Sequence, residues 1–131
     1  MKRRDQLIDI AKTYLYEGLL EHKPSEVLFH ENCVRMEMGF ETGRGATQLR
    51  ELLLDESYHA NESISDLQWV VEEPYVDVRY LLKCRNLPLV ISVATRFEIL
   101  DETIVRIDIL LDAGAAHSAI IESIQALRTD F

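Results

Sequence analysis

Residues 75–112, YVDVRYLLKCRNLPLVISVATRFEILDETIVRIDILLD, contain three runs rich in β-branched residues, separated by the breaks Asn86-Leu87-Pro88 and Asp101-Glu102. Short polar or proline-containing breaks between alternating runs are typical of antiparallel hairpins. The pattern therefore predicts three consecutive antiparallel strands on which the rest of the chain packs. These strands are predicted over residues 75–85, 89–100 and 103–112.

Alternation within each run assigns its side chains to two faces, because successive side chains of a strand point to opposite sides of the sheet. In the middle run, a bulky set is predicted to face the core: Leu89, Ile91, Val93, Thr95, Phe97 and Ile99. The apolar face of the first run is formed by Val76, Val78, Tyr80, Leu82 and Cys84. In the last run it is formed by Val105, Ile107, Ile109 and Leu111.

On the opposite face of the middle run, the side chains are small at the start and charged at the end. This pattern predicts a homodimer. A monomer would expose an apolar strip there, and such strips usually mark interfaces. The strip is formed by Val90, Ser92, Ala94 and Leu100. Arg96 and Glu98 are expected to make reciprocal contacts across a two-fold axis, since such an interface repeats each pair twice.

The composition indicates one globular domain over residues 1–131 and argues against two classes of partner. A formal charge of -9 disfavours nucleic acid, whose phosphates need clustered Lys and Arg, and an anionic membrane surface. No apolar run approaches the ~20 residues of a membrane span. Cys33 and Cys84 have no zinc-site spacing, so neither a metal nor another cofactor is expected, and buried free thiols indicate a cytoplasmic protein.

The remaining elements follow from helical periodicity, alternation and breakers. Tyr14 lies mid-arc on the first helix and is predicted to be buried, whereas Tyr16 lies off the arc and is expected to be more exposed. Gly18, on the same arc, is expected to permit close approach of another element. Helices are predicted over residues 5–22, 24–29, 47–58 and 115–128. Further strands are predicted over residues 33–39 and 64–73, the latter ending in a turn at Glu73-Pro74.

Over residues 7–112 this order resembles the nuclear-transport-factor-2-like superfamily, which includes SnoaL-like polyketide cyclases and ketosteroid isomerases. Five segments carry the resemblance: Tyr14-Leu15, Lys23-Pro24-Ser25-Glu26, Val34-Arg35-Met36-Glu37-Met38-Gly39, Thr42-Gly43-Arg44-Gly45-Ala46 and Ile104-Val105-Arg106-Ile107-Asp108. It implies an α+β fold, a cystatin-like α+β roll, in which a strongly bent antiparallel β-sheet forms a cone around the N-terminal helix, here with an extra C-terminal helix. The open end of such a cone is usually a pocket, and homodimers through the outer sheet face are common.

The resemblance also implies candidate catalytic residues. Tyr14 matches the helical tyrosine that donates a hydrogen bond to a developing oxyanion in ketosteroid isomerases, a role that a preorganised donor performs best in a dry site. Where those enzymes carry acidic residues, this chain has Met38 and Thr95. Glu37 is the nearby carboxylate, but alternation turns it away from Met36 and Met38, which are predicted to face the pocket. If the register flips, Arg35 and Glu37 enter the pocket as a buried pair.

A mainly apolar wall suits a small hydrophobic ligand, although the same residues also suit a filled core. The predicted wall consists of Tyr14, Val34, Met36, Met38, His59, Trp69, Tyr80, Val93, Thr95, Phe97 and Ile107. Three functions therefore stay open: a SnoaL-like enzyme that binds and isomerises or cyclises a hydrophobic metabolite, a ligand-binding module without chemistry, and a dimeric interaction domain with a filled cone. A lone phenol favours the structural role for Tyr14.

Overall fold

Two helices and six strands make up the part of the chain that the computed structural model describes, residues 3–55, 61–85 and 90–112. The helices are α1 (Arg3–Thr13) and α2 (Ala46–Leu53). The strands are β1 (Phe29–Glu37), β2 (Phe40–Arg44), β3 (Asn61–Glu72), β4 (Tyr75–Cys84), β5 (Val90–Leu100) and β6 (Thr103–Asp112). Shorter helical pieces are a π-helical segment (Tyr14–Leu20) that continues α1 and a 3-10 turn (Pro24–Glu26).

The strands form one curved sheet in the order β2-β1-β6-β5-β4-β3. The predicted α+β fold, with the sheet curved around the N-terminal helix, is confirmed. The sheet is mixed rather than wholly antiparallel, because β1 pairs with β6 in parallel. The predicted final helix over residues 115–128 lies outside the described residues. Within those residues, no helix is long and apolar enough to cross a membrane.

The faces predicted for β4 and β5 are confirmed. Val76, Val78 and Tyr80 are buried in β4, and their neighbours Tyr75 and Arg79 are exposed. In β5, the buried side chains are Val93, Thr95, Phe97 and Ile99. Leu89 lies outside the described residues.

The prediction for the start of β6 is wrong at Val105. Ile104 is buried there instead, opposite Ile99 in the register. A bulge between Glu98 and Ile99 accounts for the change, since an extra residue on one strand shifts all side chains before it to the other face. Ile107 and Ile109 lie beyond the bulge and are buried as predicted.

The first helix is longer in the prediction, over residues 5–22, than the regular α-helix of the structure. Its last turns are π-helical, with a hydrogen bond of 3.0 Å from the Glu21 N–H to the Tyr16 carbonyl. Tyr14 is fully buried and Tyr16 is half-buried, as predicted. Gly18 lies against Val27 and Leu53, whose side chains would be only 3.3 and 3.2 Å from an added Cβ. The expected close approach at Gly18 is therefore confirmed.

The face prediction for β1 is wrong. Arg35 retains only 4% exposure and pairs with Ile107 of β6, whereas Met36 pairs with Asp108 on the outer face. Residues that face each other in a ladder lie on the same side of the sheet. Arg35 therefore lies inside the cone and Met36 outside it, which is the flipped register that the sequence left open.

A further strand that was not predicted, β2, pairs with β1 in a hairpin. Its turn passes through Met38 and Gly39, both with positive φ (52° and 82°), a conformation that glycine adopts without steric cost. The predicted helix over residues 24–29 is a single 3-10 turn, and α2 ends at Leu53. The end of its prediction, residues 56–58, lies outside the described residues.

Tyr14 and Phe97 form the centre of the buried core. Both are fully buried, and their rings meet edge to face with centroids 5.4 Å apart. Phe29 contacts the Tyr14 ring from β1, with a centroid distance of 6.2 Å. The helix is thus held in the bend of the sheet by aromatic contacts from two strands.

Replacing Phe97 by Ala is expected to destabilise the protein by about 3 to 5 kcal/mol, because a fully buried ring leaves a cavity when it is truncated. Urea unfolding followed by circular dichroism measures the change. Leu28→Ala is the control: Leu28 is 49% exposed, so its truncation should stay within about 0.5 kcal/mol. Equal effects of the two substitutions would contradict the placement of Phe97.

Candidate functional site

A buried guanidinium lies at the centre of a polar cluster inside the cone. Arg35 Nε donates a hydrogen bond of 2.9 Å to the Tyr14 hydroxyl. Arg35 Nη1 donates to Thr42 Oγ1 at 2.8 Å and lies 3.5 Å from Glu37 Oε2. The cluster therefore joins the helix, β1 and β2 through one side chain.

The β1–β2 hairpin orients this guanidinium. Thr42 accepts from the Arg35 side chain and also donates from Oγ1 to the Arg35 carbonyl, at 3.3 Å. A register shift between Arg35 and Met36 in the same hairpin interrupts the regular ladder at this point. Bulges of this kind commonly redirect a side chain beside a functional site.

Tyr80 lies close to the cluster from β4. Its hydroxyl is 3.5 Å from Thr95 Oγ1, where either group can donate. Burial raises the pKa of Tyr80, the bond to Thr95 acts in the opposite direction, and Arg35 lowers while Glu37 raises that pKa. The phenol is consequently neutral at physiological pH and keeps its proton as a hydrogen-bond donor.

A cavity of about 190 Å³ opens beside the cluster. Its described polar lining consists of Arg35, Glu37, Asn61 and Tyr80. The remaining described lining is Leu19, Leu82, Cys84, Ile91, Val93, Ile109 and Leu111. An apolar cavity of ~150 Å³ is large enough to hold benzene, so this one has room for roughly ten non-hydrogen atoms. Its lining thus combines four polar side chains with a larger apolar set.

Burial of Arg35 is energetically costly unless its charge is compensated. Removing an ion from water costs several kcal/mol, and well-packed apolar residues of similar volume often serve stability as well or better. Here Glu37 supplies the compensating charge, with its side chain 19% exposed against 4% for Arg35. Stability alone therefore gives little reason to keep this pair, and its position at the cavity points to a functional role.

The structure places the predicted site residues that it describes at the cavity, in the core, or away from both. Tyr80 and Glu37 line the cavity. The core holds Tyr14, Thr95, Phe97 and Ile107, which are buried, and Trp69, which is half-buried against them. Tyr14 is thus placed behind Arg35, and the expectation of a lone core phenol is wrong because the guanidinium donates to it.

The predicted methionines are not among the described cavity-lining residues. Met36 is on the outer face, so its prediction as a pocket residue is wrong. Met38 lies in the turn after β1, with its sulfur 3.1 Å from the Leu111 N–H. His59 lies outside the described residues. Within those residues, no three His, Cys, Asp or Glu side chains are grouped to hold a metal ion.

Sequence reasoning missed Thr42 and Asn61 altogether and considered Arg35 only as an alternative. Asn61 lines the cavity and its amide donates to the Leu19 carbonyl at 3.5 Å. The available signal was the Arg-x-Glu spacing of β1, which puts both charges on one face whichever side that face takes. Thr42 and Asn61 begin or end short polar stretches and gave no comparable signal.

Comparisons with known proteins agree on the fold. A family described as "Domain of unknown function (DUF8021)" matches residues 1–111. No curated protein matches the chain in sequence. The structure of an LEH-like epoxide hydrolase of M. tuberculosis is similar, with a TM-score of 0.71 and 16% identity over 99% of this chain and 100% of that chain.

Two other solved structures bear the superfamily names directly. An NTF-2 like protein of unknown function from Burkholderia xenovorans LB400 has a TM-score of 0.67 and 10% identity, over 89% of this chain and 94% of that chain. A SnoaL-like family protein from Agrobacterium tumefaciens has a TM-score of 0.67 and 15% identity, over 82% and 98%. The fold that the resemblance to the nuclear-transport-factor-2-like superfamily implies is confirmed, and identities this low establish the fold alone.

Tyr14→Phe is expected to lower the free energy of unfolding by about 1 to 3 kcal/mol, because it leaves a buried guanidinium N–H without its acceptor. Chemical denaturation measures this loss. Tyr16→Phe removes a hydroxyl from a half-buried ring of the same helix and should change stability by less than about 0.5 kcal/mol. A larger loss at Tyr16 than at Tyr14 would contradict the assignment of the hydrogen bond.

Proposed function

This chain belongs to the family of the domain of unknown function DUF8021, and we propose that it is an acid–base enzyme that isomerises or cyclises a small, mainly apolar carbonyl compound. The observation that carries the proposal is the buried Arg35, held between the Tyr14 hydroxyl and the Glu37 carboxylate beside the cavity. The proposal assigns a different role to each of these groups.

Glu37 is the proposed base. Proton abstraction next to a carbonyl needs a carboxylate within hydrogen-bond reach of the substrate, and Glu37 lines the cavity. It takes a proton from the carbon beside the carbonyl, and the electrons of the broken C–H bond move onto the carbonyl oxygen. If the enolate is conjugated with a double bond, returning that proton to its far carbon isomerises the substrate. If the enolate carbon instead attacks a second carbonyl of the same molecule, a ring closes and the proton held by Glu37 passes to the new alkoxide.

Tyr80 and Arg35 are the proposed donors to the carbonyl oxygen. Both line the cavity, and both carry hydrogens that a developing negative charge attracts. Donors fixed in a site of low dielectric stabilise such a charge most effectively, and losing one typically costs ~10²- to 10³-fold in rate. Tyr14 and Thr42 act as positioning residues, since each contacts Arg35 and neither is among the described cavity-lining residues.

A ligand-binding module without chemistry is the alternative. It is favoured by the remaining described lining, which is aliphatic apart from the Cys84 thiol. In that case the polar groups orient the ligand and Glu37 only balances the charge of Arg35. The two functions differ in one measurable property, the exchange of protons next to the ligand's carbonyl.

Deuterium exchange into cyclohexanone distinguishes them without knowledge of the natural substrate. In D₂O, the protein is expected to accelerate replacement of the hydrogens beside the carbonyl, measured by ¹H NMR. Glu37→Gln should reduce the acceleration by about 10²- to 10⁴-fold, the usual contribution of a positioned base. Glu41→Gln is the matched control, because Glu41 is an exposed carboxylate of β2 that pairs with Arg44.

Exchange no faster than in buffer, in a protein that binds cyclohexanone, supports the binding module instead. Exchange that is unaffected by Glu37→Gln removes Glu37 as the base.

The thiols support a proposal for the cellular location of the protein, and its charge supports one for the class of partner. Cys33 and Cys84 are free and buried, and burial raises the pKa of Cys33 to about 12. Such thiols suit a reducing compartment, so we propose the cytoplasm. The charge of -9 supports a small-molecule partner over nucleic acid or an anionic membrane.

We also propose that the outer sheet face pairs two copies of the chain. Leu110 and Val70 are 56% and 58% exposed there, and Val90 at the start of β5 is 44% exposed. A depression of about 440 Å³ on this face is lined in part by Ala94 and Leu110. A second copy suits this surface because it carries both signs of charge.

The charges of that face already pair within the chain. Arg96 donates two hydrogen bonds to Asp77, at 2.8 and 2.9 Å, and stacks on Tyr75. Arg106 donates to Asp108 at 2.9 and 3.1 Å. Within each pair the two opposite charges compensate each other. We propose that these pairs form the rim of the interface, alongside the contacts expected of Arg96 and Glu98.

Sedimentation at micromolar concentration is expected to give a particle of roughly twice the 15.1 kDa chain. Leu110→Glu should shift it to the monomer, because it buries an uncompensated charge in the proposed interface. Leu54→Glu is the control, since Leu54 is equally exposed (55%) but follows α2. A monomeric wild-type protein removes the proposal.

A further inference from the structure

We infer that the cavity selects an electrically neutral ligand with one hydrogen-bond acceptor, and that Glu37 sets this selectivity by neutralising Arg35. The inference deepens the proposed function and rests on the same cavity. It concerns which charge the ligand carries, whereas the proposed function concerns what happens to its protons.

The argument starts from the charges of the cavity. Among its described lining residues, Arg35 is the cation and Glu37 is the anion, and their side chains lie 3.5 Å apart. Interactions between charges are strong where water is largely excluded, and both side chains are mostly buried. A carboxylate ligand would be attracted by Arg35 but repelled by Glu37 next to it. An ammonium ligand would be attracted by Glu37 but repelled by Arg35.

Desolvation decides between charged and neutral ligands. A ligand ion must lose its own hydration to enter, which costs several kcal/mol, and the existing pair offers no net opposite charge in return. A neutral carbonyl, ether or epoxide oxygen loses much less hydration. Tyr80 and Arg35 still supply donors to such an oxygen, because a phenol and a guanidinium have hydrogens to give.

The shape of the lining fixes the rest of the ligand. Leu82, Ile91 and Leu111 are among the apolar residues that line the cavity together with its polar groups. With about 190 Å³ available, a ring or branched chain of roughly ten non-hydrogen atoms fills the space. The inferred class is therefore a compact neutral molecule with its oxygen at one end.

Three probes with the same body and different charge test this selectivity: cyclohexanone, cyclohexanecarboxylate and cyclohexylamine. Binding is measured by titrating each into the labelled protein and following ¹H–¹⁵N shifts at pH 7. The wild-type protein is expected to bind the ketone at least about tenfold more tightly than the carboxylate or the amine.

Glu37→Gln removes the carboxylate that lies 3.5 Å from Arg35 and should raise the affinity for the carboxylate probe by about tenfold or more. Arg35→Met should act in the opposite sense and favour the amine. Glu41→Gln changes the net charge of the protein by the same amount as Glu37→Gln but at an exposed ion pair, so it should leave the ranking unchanged. Thermal unfolding of each variant identifies any that fails to fold, and Glu37→Gln alone is sufficient for the test.

Tight carboxylate binding by the wild-type protein overturns the inference, as does an unchanged ranking in Glu37→Gln or the absence of binding by every probe. The outcome is independent of catalysis. If the ranking is as expected but deuterium exchange is absent, the inference stands and the proposed chemistry fails. If exchange depends on Glu37 but the carboxylate binds best, the proposed chemistry stands and the inference fails.

Discussion

The hydrogen bond from Arg35 to the Tyr14 hydroxyl joins the apolar core of this molecule to the polar cluster at the cavity. The Tyr14 ring belongs to the dry core, where it meets Phe97 edge to face. Its hydroxyl faces the guanidinium, which lines the cavity. A tyrosine suits this boundary because one end of its side chain is apolar and the other needs a polar partner. The polar cluster is thereby anchored to the buried core.

Local departures from regular geometry set this arrangement. The π-helical segment has wider turns than an α-helix, and such segments occur frequently at functional sites. Here both Tyr14 and Leu19 are buried, with Leu19 at the cavity and Tyr14 in the core behind it. On the opposite side, the register shift after Arg35 lets β1 bend around the helix. Regular elements alone would give neither the curvature nor the position of the guanidinium.

How much the sequence predicts depends on how clearly each strand separates its faces. β4 and β5 alternate bulky apolar residues with charged ones, so their faces were predicted correctly. In β1 the apolar Val34 and Met36 lie on one face and charged residues on the other, and this pattern does not reveal which face is buried. The usual rule assigns charges to solvent, and it fails where a buried guanidinium finds compensating partners. Glu37 compensates the charge from within β1, whereas the two hydroxyl partners, Tyr14 and Thr42, lie on other elements and give no signal within β1.

Position along the strands separates the residues of the core from those that line the cavity. Val76, Ile99 and Ile104 are buried where β4 begins, β5 ends and β6 begins, near α1. Cavity-lining residues come from the opposite ends of the same strands, as Cys84, Ile91 and Leu111 illustrate. Substitutions at the first end change stability, whereas those at the second change what the cavity accepts. A common fold can therefore host different chemistries, since the residues that specify function are separated from those that hold the sheet together.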